Sequence, residues 1–181
     1  MANLNTKACL ILNVNKVSKI LGHLNITTNG KIAITSVCEY LCAEILELAG
    51  NRCKDKKRVR LTVGDVNYAL TTDDELRLLF NALVNYQNPN ATKLNNWTTH
   101  ILRLVHSDMQ MTKECSHYID KILDWVVLQI RNNITETNKV DDSVIANSLI
   151  HLMDEYKCEE LKRHTLSEIA RSLKKFEENN I

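Results

Sequence analysis

Apolar positions recur at helical spacing in two blocks separated by one polar stretch. In the first block Val17, Ile20, Leu21 and Leu24 fit a short helix, which Asn25-Ile-Thr-Thr-Asn-Gly30 interrupts with turn-favouring residues. A longer helix follows from about Lys31 to Cys53, with Val37, Leu41, Ile45 and Leu48 on one stripe and Gly50-Asn51 as its expected stop signal. A basic loop, Lys54-Asp-Lys-Lys-Arg-Val-Arg60, then runs into the β-prone residues Val59 to Val63. Thr62 is placed to cap a short helix through Leu70, and Thr72 with Glu75 to form a capping box for a helix reaching about Val84.

The polar stretch is Tyr86-Gln-Asn-Pro-Asn-Ala-Thr-Lys-Leu-Asn-Asn96, which contains the only proline and has the composition of a linker. It predicts domains over 1–86 and 97–181 joined by a linker at 87–96. Beyond it the same order returns: a short helix from Trp97 to Val105, a polar break at His106-Ser-Asp108, and a long helix capped by Thr112. Ile119, Ile122, Leu123, Val126, Val127 and Ile130 line that helix. A loop through Asn138-Lys-Val140 leads to a helix capped by Asp141 or Asp142 and ending near Met153. A last amphipathic helix carries Leu161, Leu166, Ile169, Leu173 and Phe176. Neither half alone can cover both faces of its long helix, so the two long helices are expected to cross and bury each other.

Composition narrows the class. Four Gly, one Pro and 5% aromatics are too few for a sheet-rich fold, and 44% hydrophobic residues suffice for a core, so an all-α protein is expected. Six Cys without framework spacing suit a reducing compartment, where thiols act as small apolar residues. Met1 to Val14 holds only a short apolar run, Ala8 to Leu12, and no later stretch is long enough to span a bilayer, so an intracellular protein without membrane contact is expected. Cys38 and Cys42 stand at i and i+4, while His106, His164, Cys115 and Cys158 are scattered, so no zinc site is expected. There is no glycine-rich phosphate loop and no nucleophile elbow. A protein without cofactor or catalysis follows. The formal charge is only +1, so any affinity for nucleic acid depends on where the cations sit.

Specific residues add a family. Cys38-Glu-Tyr-Leu-Cys-Ala-Glu-Ile-Leu-Glu-Leu-Ala-Gly-Asn51 resembles the middle of the long helix of histone 2A, and the likeness continues through Asp55-Lys-Lys-Arg-Val-Arg60 and Asp73-Asp-Glu-Leu76. Val17-Ser-Lys-Ile-Leu21 followed by Asn25 resembles its preceding short helix. In the second half Ile101-Leu-Arg-Leu-Val-His106 with Asp108, and Glu160-Leu-Lys-Arg-His-Thr-Leu-Ser-Glu168, are similar to histone 2B. The resemblance covers about Val14 to Phe176 and implies two tandem histone folds pairing in a handshake. Such fused pairs look like the histone doublets of large DNA viruses, in which the 2B-like half usually comes first. The long basic tails of the family have no counterpart here. The loop around Asn25 to Gly30 is shorter than in histone 2A and lacks its arginine, leaving Lys31. Glu136-Thr-Asn-Lys139 replaces the basic loop of histone 2B, and the segment after Val84 does not follow the histone 2A extension.

Double-stranded DNA is the expected partner, met through phosphates at helix N-termini and loop cations. Lys54, Lys56, Lys57, Arg58 and Arg60 form the densest cluster, and Lys31, Lys113 and Lys139 stand singly near helix or loop breaks. The resemblance also implies a histone 3/histone 4-like doublet or tetramer as partner, and location in the nucleus, a viral factory or the virion. It further carries an acidic patch for arginine-anchored proteins onto Glu39, Glu44, Glu47, Asp73, Asp74, Glu75, Glu160 and Glu168. Two other readings stand beside packaging: a regulatory module like the paired subunits of CCAAT-binding factors, and an interaction scaffold that no longer binds DNA.

Overall fold

The computed structural model describes residues 3–86, 91–135 and 138–180. Pro89 with residues 87–90 of the expected linker, and Glu136 with Thr137, lie outside them. Chain order is α1 (Leu4–Lys7), α2 (Val14–Lys19), α3 (Thr28–Asp55), β1 (Arg60–Leu61), α4 (Val63–Thr72), α5 (Asp74–Phe80), a 3-10 turn (Asn81–Asn85), α6 (Asn95–Val105), β2 (Gln110–Met111), α7 (Lys113–Asn132), α8 (Asp142–Glu155) and α9 (Glu159–Glu178). Short, long and short helices thus occur twice, as α2–α3–α4 and α6–α7–α8, each followed by a further helix.

The long helix α3 departs most from its periodicity. It starts at Thr28, where Thr27 Oγ1 accepts the Gly30 N–H at 3.1 Å, and runs past Gly50-Asn51 to Asp55. Gly30 and Gly50 are helix-interior residues because the second half approaches closely there. A β-carbon on Gly30 would lie 2.5 Å from the Val140 carbonyl oxygen, and one on Gly50 would overlap the His106 imidazole. His106 Nε2 in turn lies 2.9 Å from the Glu47 carbonyl oxygen. Gly50→Ala is therefore expected to lower the urea midpoint, with overpacking of about 1–3 kcal/mol exceeding a helix-propensity gain of about 1 kcal/mol. Gly64→Ala, whose β-carbon would meet only Thr62 Oγ1 at 3.7 Å, should not lower it.

The helix stops at Asp55, five residues beyond Gly50, by a different device. Lys57 adopts φ 54, its N–H reaches the Lys54 carbonyl at 2.7 Å, and the Arg58 N–H reaches the Cys53 carbonyl at 3.0 Å. Lysine in this left-handed conformation costs about 1 kcal/mol relative to glycine.

Other caps mostly follow the sequence. Thr112 accepts the Cys115 N–H at 3.1 Å, and Asp141 accepts those of Ser143 and Val144 at 3.1 and 3.2 Å. The cap of α5 is Asp73, not Thr72: its carboxylate accepts the Leu76 N–H at 2.8 Å. Thr72 ends α4 and spends its hydroxyl on the Tyr68 carbonyl at 2.7 Å. The second half begins before Trp97, because α6 starts at Asn95 and Leu94 is already buried.

The long helices pack against each other within one core. Leu41, Cys42 and Ile45 of α3 share it with Ile119, Ile122 and Val126 of α7. α9 lies along α3, and Phe80 meets Trp125 at 5.5 Å between ring centroids. The loops are exchanged between halves. β1 pairs in parallel with β2, Arg60 opposite Gln110 and Leu61 opposite Met111. At the other end of α3, Ile26 bridges Val140, with Thr27 N–H to Val140 O at 2.9 Å and Val140 N–H to Asn25 O at 2.8 Å. Each half's first loop is thereby joined to the other half's second loop. A helix of 28 residues rising 1.5 Å per residue sets these junctions about 40 Å apart.

The N-terminal segment also has structure that the short apolar run Ala8 to Leu12 did not reveal. Ala8, Leu10 and Val14 bury with Ile32 and pack on Leu173 and Phe176 of α9. Asn179 Nδ2 donates to the Lys7 carbonyl at 3.0 Å.

Candidate functional site

The β1–β2 junction gathers one group of candidate cations. Lys54, Lys56, Lys57 and Arg60 are exposed beside it, and Lys113 opens α7, whose first-turn amides emerge at the same place. Arg60 is fixed by its strand, with Nη2 3.3 Å from Gln110 Oε1. Lys54 shares its charge with exposed Asp108 at 3.5 Å.

Arg58 behaves differently from its neighbours. Its Nη2 sits 2.5 Å from Oδ1 of buried Asp65, and Nη1 donates to the Arg60 carbonyl at 3.3 Å. Asp65 is a hub: Oδ1 also faces Arg52 Nε at 3.6 Å, while Oδ2 accepts the Thr62 N–H at 3.0 Å and its hydroxyl at 2.8 Å. Burial raises the Asp65 carboxyl, but the Arg58 guanidinium and the Thr62 donors outweigh it and hold the group below the usual carboxylate range. Arg52 is further stacked 3.8 Å from the Tyr68 ring centroid. Arg58 thus clamps the loop onto α4. Sequence reading missed Asp65, although an acid at N3 behind Thr62 is a capping-box pattern.

Lys31 and Lys139 stand on the two elements joined at the opposite junction. Lys31 lies in the first turn of α3, and Lys139 is exposed immediately before the bridging Val140. An open cleft of about 540 Å³ beside them is lined by Asn15, Ser18, Lys19, Asn25 and Lys31. Arg131 lies over Gly22, its Nη2 3.5 Å from where a β-carbon would stand. Lys19 and Arg131 escaped the sequence reading because each is an isolated cation, joined to the others only by the exchanged loops.

The eight acids divide by what their carboxylates already hold. Glu44, Asp73, Glu75 and Glu160 line a cleft of about 220 Å³ with Tyr40, Leu161 and His164. Glu75 reaches across to cap α9, accepting the Glu160 and Leu161 N–H groups at 2.9 and 2.7 Å. Glu39 Oε2 accepts the Ile11 and Leu12 N–H groups at 2.7 and 2.9 Å, and Glu168 pairs with Arg171, so these two border a separate cleft shared with Leu10. Asp73 caps α5, and Asp74 pairs loosely with Arg77 at 3.6 Å. Glu160 pairs with Arg163 at 3.5 Å and His164 at 3.7 Å, while His164 stacks on Tyr40 at 6.0 Å. Glu47 is exposed one turn from Glu44. Burial raises the Glu44 carboxyl, and Glu47 raises it further. Burial likewise raises Glu39 against the pull of its two N–H donors. Among the described residues no three His, Cys, Asp or Glu side chains converge as metal ligands. Cys38 and Cys42 are buried in the core, where burial raises both thiols.

The fold defines a class. One chain of the histone from Methanopyrus kandleri overlays 80% of this chain and 97% of its own length, with TM-score 0.58 and 9% identity, so the architecture is an all-α histone fold. No protein-family model matches. Sequence relatives are more particular. Histone 2A.1 of Saccharomyces cerevisiae is 40% identical over 77 residues, 40% of this chain and 58% of that protein. Histone 2A of Kluyveromyces lactis is likewise 40% identical over 77 residues, 59% of its length. A macro-histone 2A of Capsaspora owczarzaki is 36% identical over 83 residues, 44% of this chain and 23% of that protein. The chain is homologous to histone 2A over this segment and spans less than two thirds of those relatives.

Proposed function

We propose that this chain is a fused histone pair, 2A-like in its first half and 2B-like in its second, which binds double-stranded DNA with little regard to sequence. Its role is structural and not enzymatic. In this reading it forms a nucleosome-like particle with a histone 3/histone 4-like partner, in a nucleus or in a viral factory as a doublet of the kind carried by large DNA viruses. The observation that carries the reading is the exchange of loops, which puts Lys56, Lys57, Arg60 and Lys113 at one end of α3 and Lys31 and Lys139 at the other. The separation of about 40 Å is close to one turn of duplex, roughly 34–36 Å, so both ends can meet phosphates of one bent DNA. Lys57 supports it too: the loop keeps a cation where the backbone favours glycine.

Nuclease digestion of DNA mixed with this protein and a histone 3/histone 4-type partner tests the proposal. A discrete protected length requiring both components is expected. No protection at low salt would leave the interaction-scaffold reading.

The cleft of Glu44, Asp73, Glu75 and Glu160 fits an arginine side chain offered by a partner protein. Because Glu39, Glu75, Glu160 and Glu168 already hold partners within the chain, recognition concentrates on Glu44 and Glu47. An arginine-bearing peptide should lose about tenfold or more in affinity when Glu44 and Glu47 become Ala, as measured by fluorescence anisotropy. Equal binding would remove this surface from the proposal.

A further inference from the structure

Two carboxylates stand on the buried face of α7, where an apolar stripe ordinarily has none. Asp120 and Asp124 are 2% and 3% exposed and face the junction between the halves, away from the cationic loops and the acidic cleft. Asp124 Oδ2 accepts the Tyr86 hydroxyl at 2.5 Å, and its Oδ1 accepts the Thr92 N–H at 3.4 Å. Asp120 Oδ1 accepts the N–H of fully buried Leu94 at 3.1 Å. The α7 carboxylates therefore hold the chain where it leaves the first half and where it enters the second. Lys16 of α2 adds to the seam, its Nζ reaching the Lys93 carbonyl at 3.4 Å and standing 4.7 Å from the Trp97 ring centroid.

The second oxygen of Asp120 is buried and has no hydrogen-bond partner among the described residues. An ionised carboxylate with one oxygen unsolvated is costly, whereas the neutral acid keeps the Leu94 contact at far lower desolvation cost. We propose that Asp120 and Asp124 form a proton-operated latch that fastens Thr92 and Leu94, where the chain enters the second half, onto α7, closed when Asp120 is protonated and loosened when it ionises.

The surrounding charges set its direction. Burial pushes the Asp120 carboxyl up to about 7, the Leu94 N–H and the cations Lys16 and Lys93 pull it back, and Asp124 raises it. From α3 the Cys42 thiol interacts with it, itself raised by burial and so neutral. A carboxyl raised in the closed state stabilises that state fully below its ordinary value near 4. The contribution fades as pH climbs to about 7.

Residue-resolved hydrogen exchange on the full chain between pH 5 and 8, corrected for intrinsic rates, tests the latch. The opening constant at the Thr92 and Leu94 amides should rise roughly tenfold per pH unit from 5 to 7 and then level, as for one linked proton. Leu41 and Ile45 amides, deep in the core, report global unfolding, which also frees Asp120, so they should show the same slope at a much smaller opening constant, whereas local release of the latch opens Thr92 and Leu94 far more often. Asp120→Asn keeps the acceptor and removes the titration, so its junction should stay protected and flat with pH. Asp120→Ala should leave both amides unprotected throughout. A flat wild-type profile, or Asp120→Asn retaining the wild-type slope, would overturn the proposal.

Discussion

Changing Lys56, Lys57 and Arg60 together to Ala is expected to weaken binding to mixed-sequence DNA roughly a hundredfold at 0.15 M salt. It should also reduce the slope of log K against log salt by about 2.7. Each exposed cation that meets a phosphate releases counterions, and each contributes about 0.9 to that slope. Arg58 is the internal control. Its guanidinium already holds Asp65 at 2.5 Å, so Arg58→Ala should cost stability while leaving the slope nearly unchanged. Anisotropy titrations across salt separate the two outcomes. A triple variant with the wild-type slope would take this loop out of the DNA interface.

Asp65→Ala should be strongly destabilising, at about 3 kcal/mol, equivalent to about 6–12 °C in Tm. It strands Arg52 and Arg58 and removes the acceptor of the Thr62 N–H, so β1 loses its anchor on α4. The value sits at the low end for a buried pair because the two arginine side chains are 21% and 37% exposed. The carboxyl is held below its ordinary value in the fold, so its contribution is present above the usual carboxylate range. It is lost as pH falls through the folded value. Urea melts should show the variant lacking this part of the acid-induced loss, and an unchanged midpoint at neutral pH would refute the clamp.

Helix existence and order were legible because both long helices carry apolar stripes and two helices start at side-chain acceptors local in sequence, α7 at Thr112 and α8 at Asp141. What stayed hidden depends on contacts between the halves. Gly30 and Gly50 read as breakers because only the folded chain brings Val140 and His106 against them. Lys57 ends α3 in a conformation that its side chain disfavours, so no local signal marked the stop. The basic loop was visible as a run of charge, but the difference between Arg58, turned in to Asp65, and Arg60, held out by β1, was not. The acidic residues came by resemblance alone; that Glu39 is spent on Ile11 and Leu12 required the N-terminal segment to be seen in place. Asp120 and Asp124 left a clue that went unused: two acids four residues apart on an otherwise apolar stripe.

The core thiols also act as a clock. Cys38, Cys42 and Cys53 lie in α3, Cys115 in α7 and Cys158 just ahead of α9, all buried, while Cys9 is exposed. A thiolate forms only where water reaches it, so a labelling reagent should modify Cys9 at once and the other five only when their surroundings part. Because those five are spread over both halves, the order in which they react records whether the pair opens as one body or one half at a time.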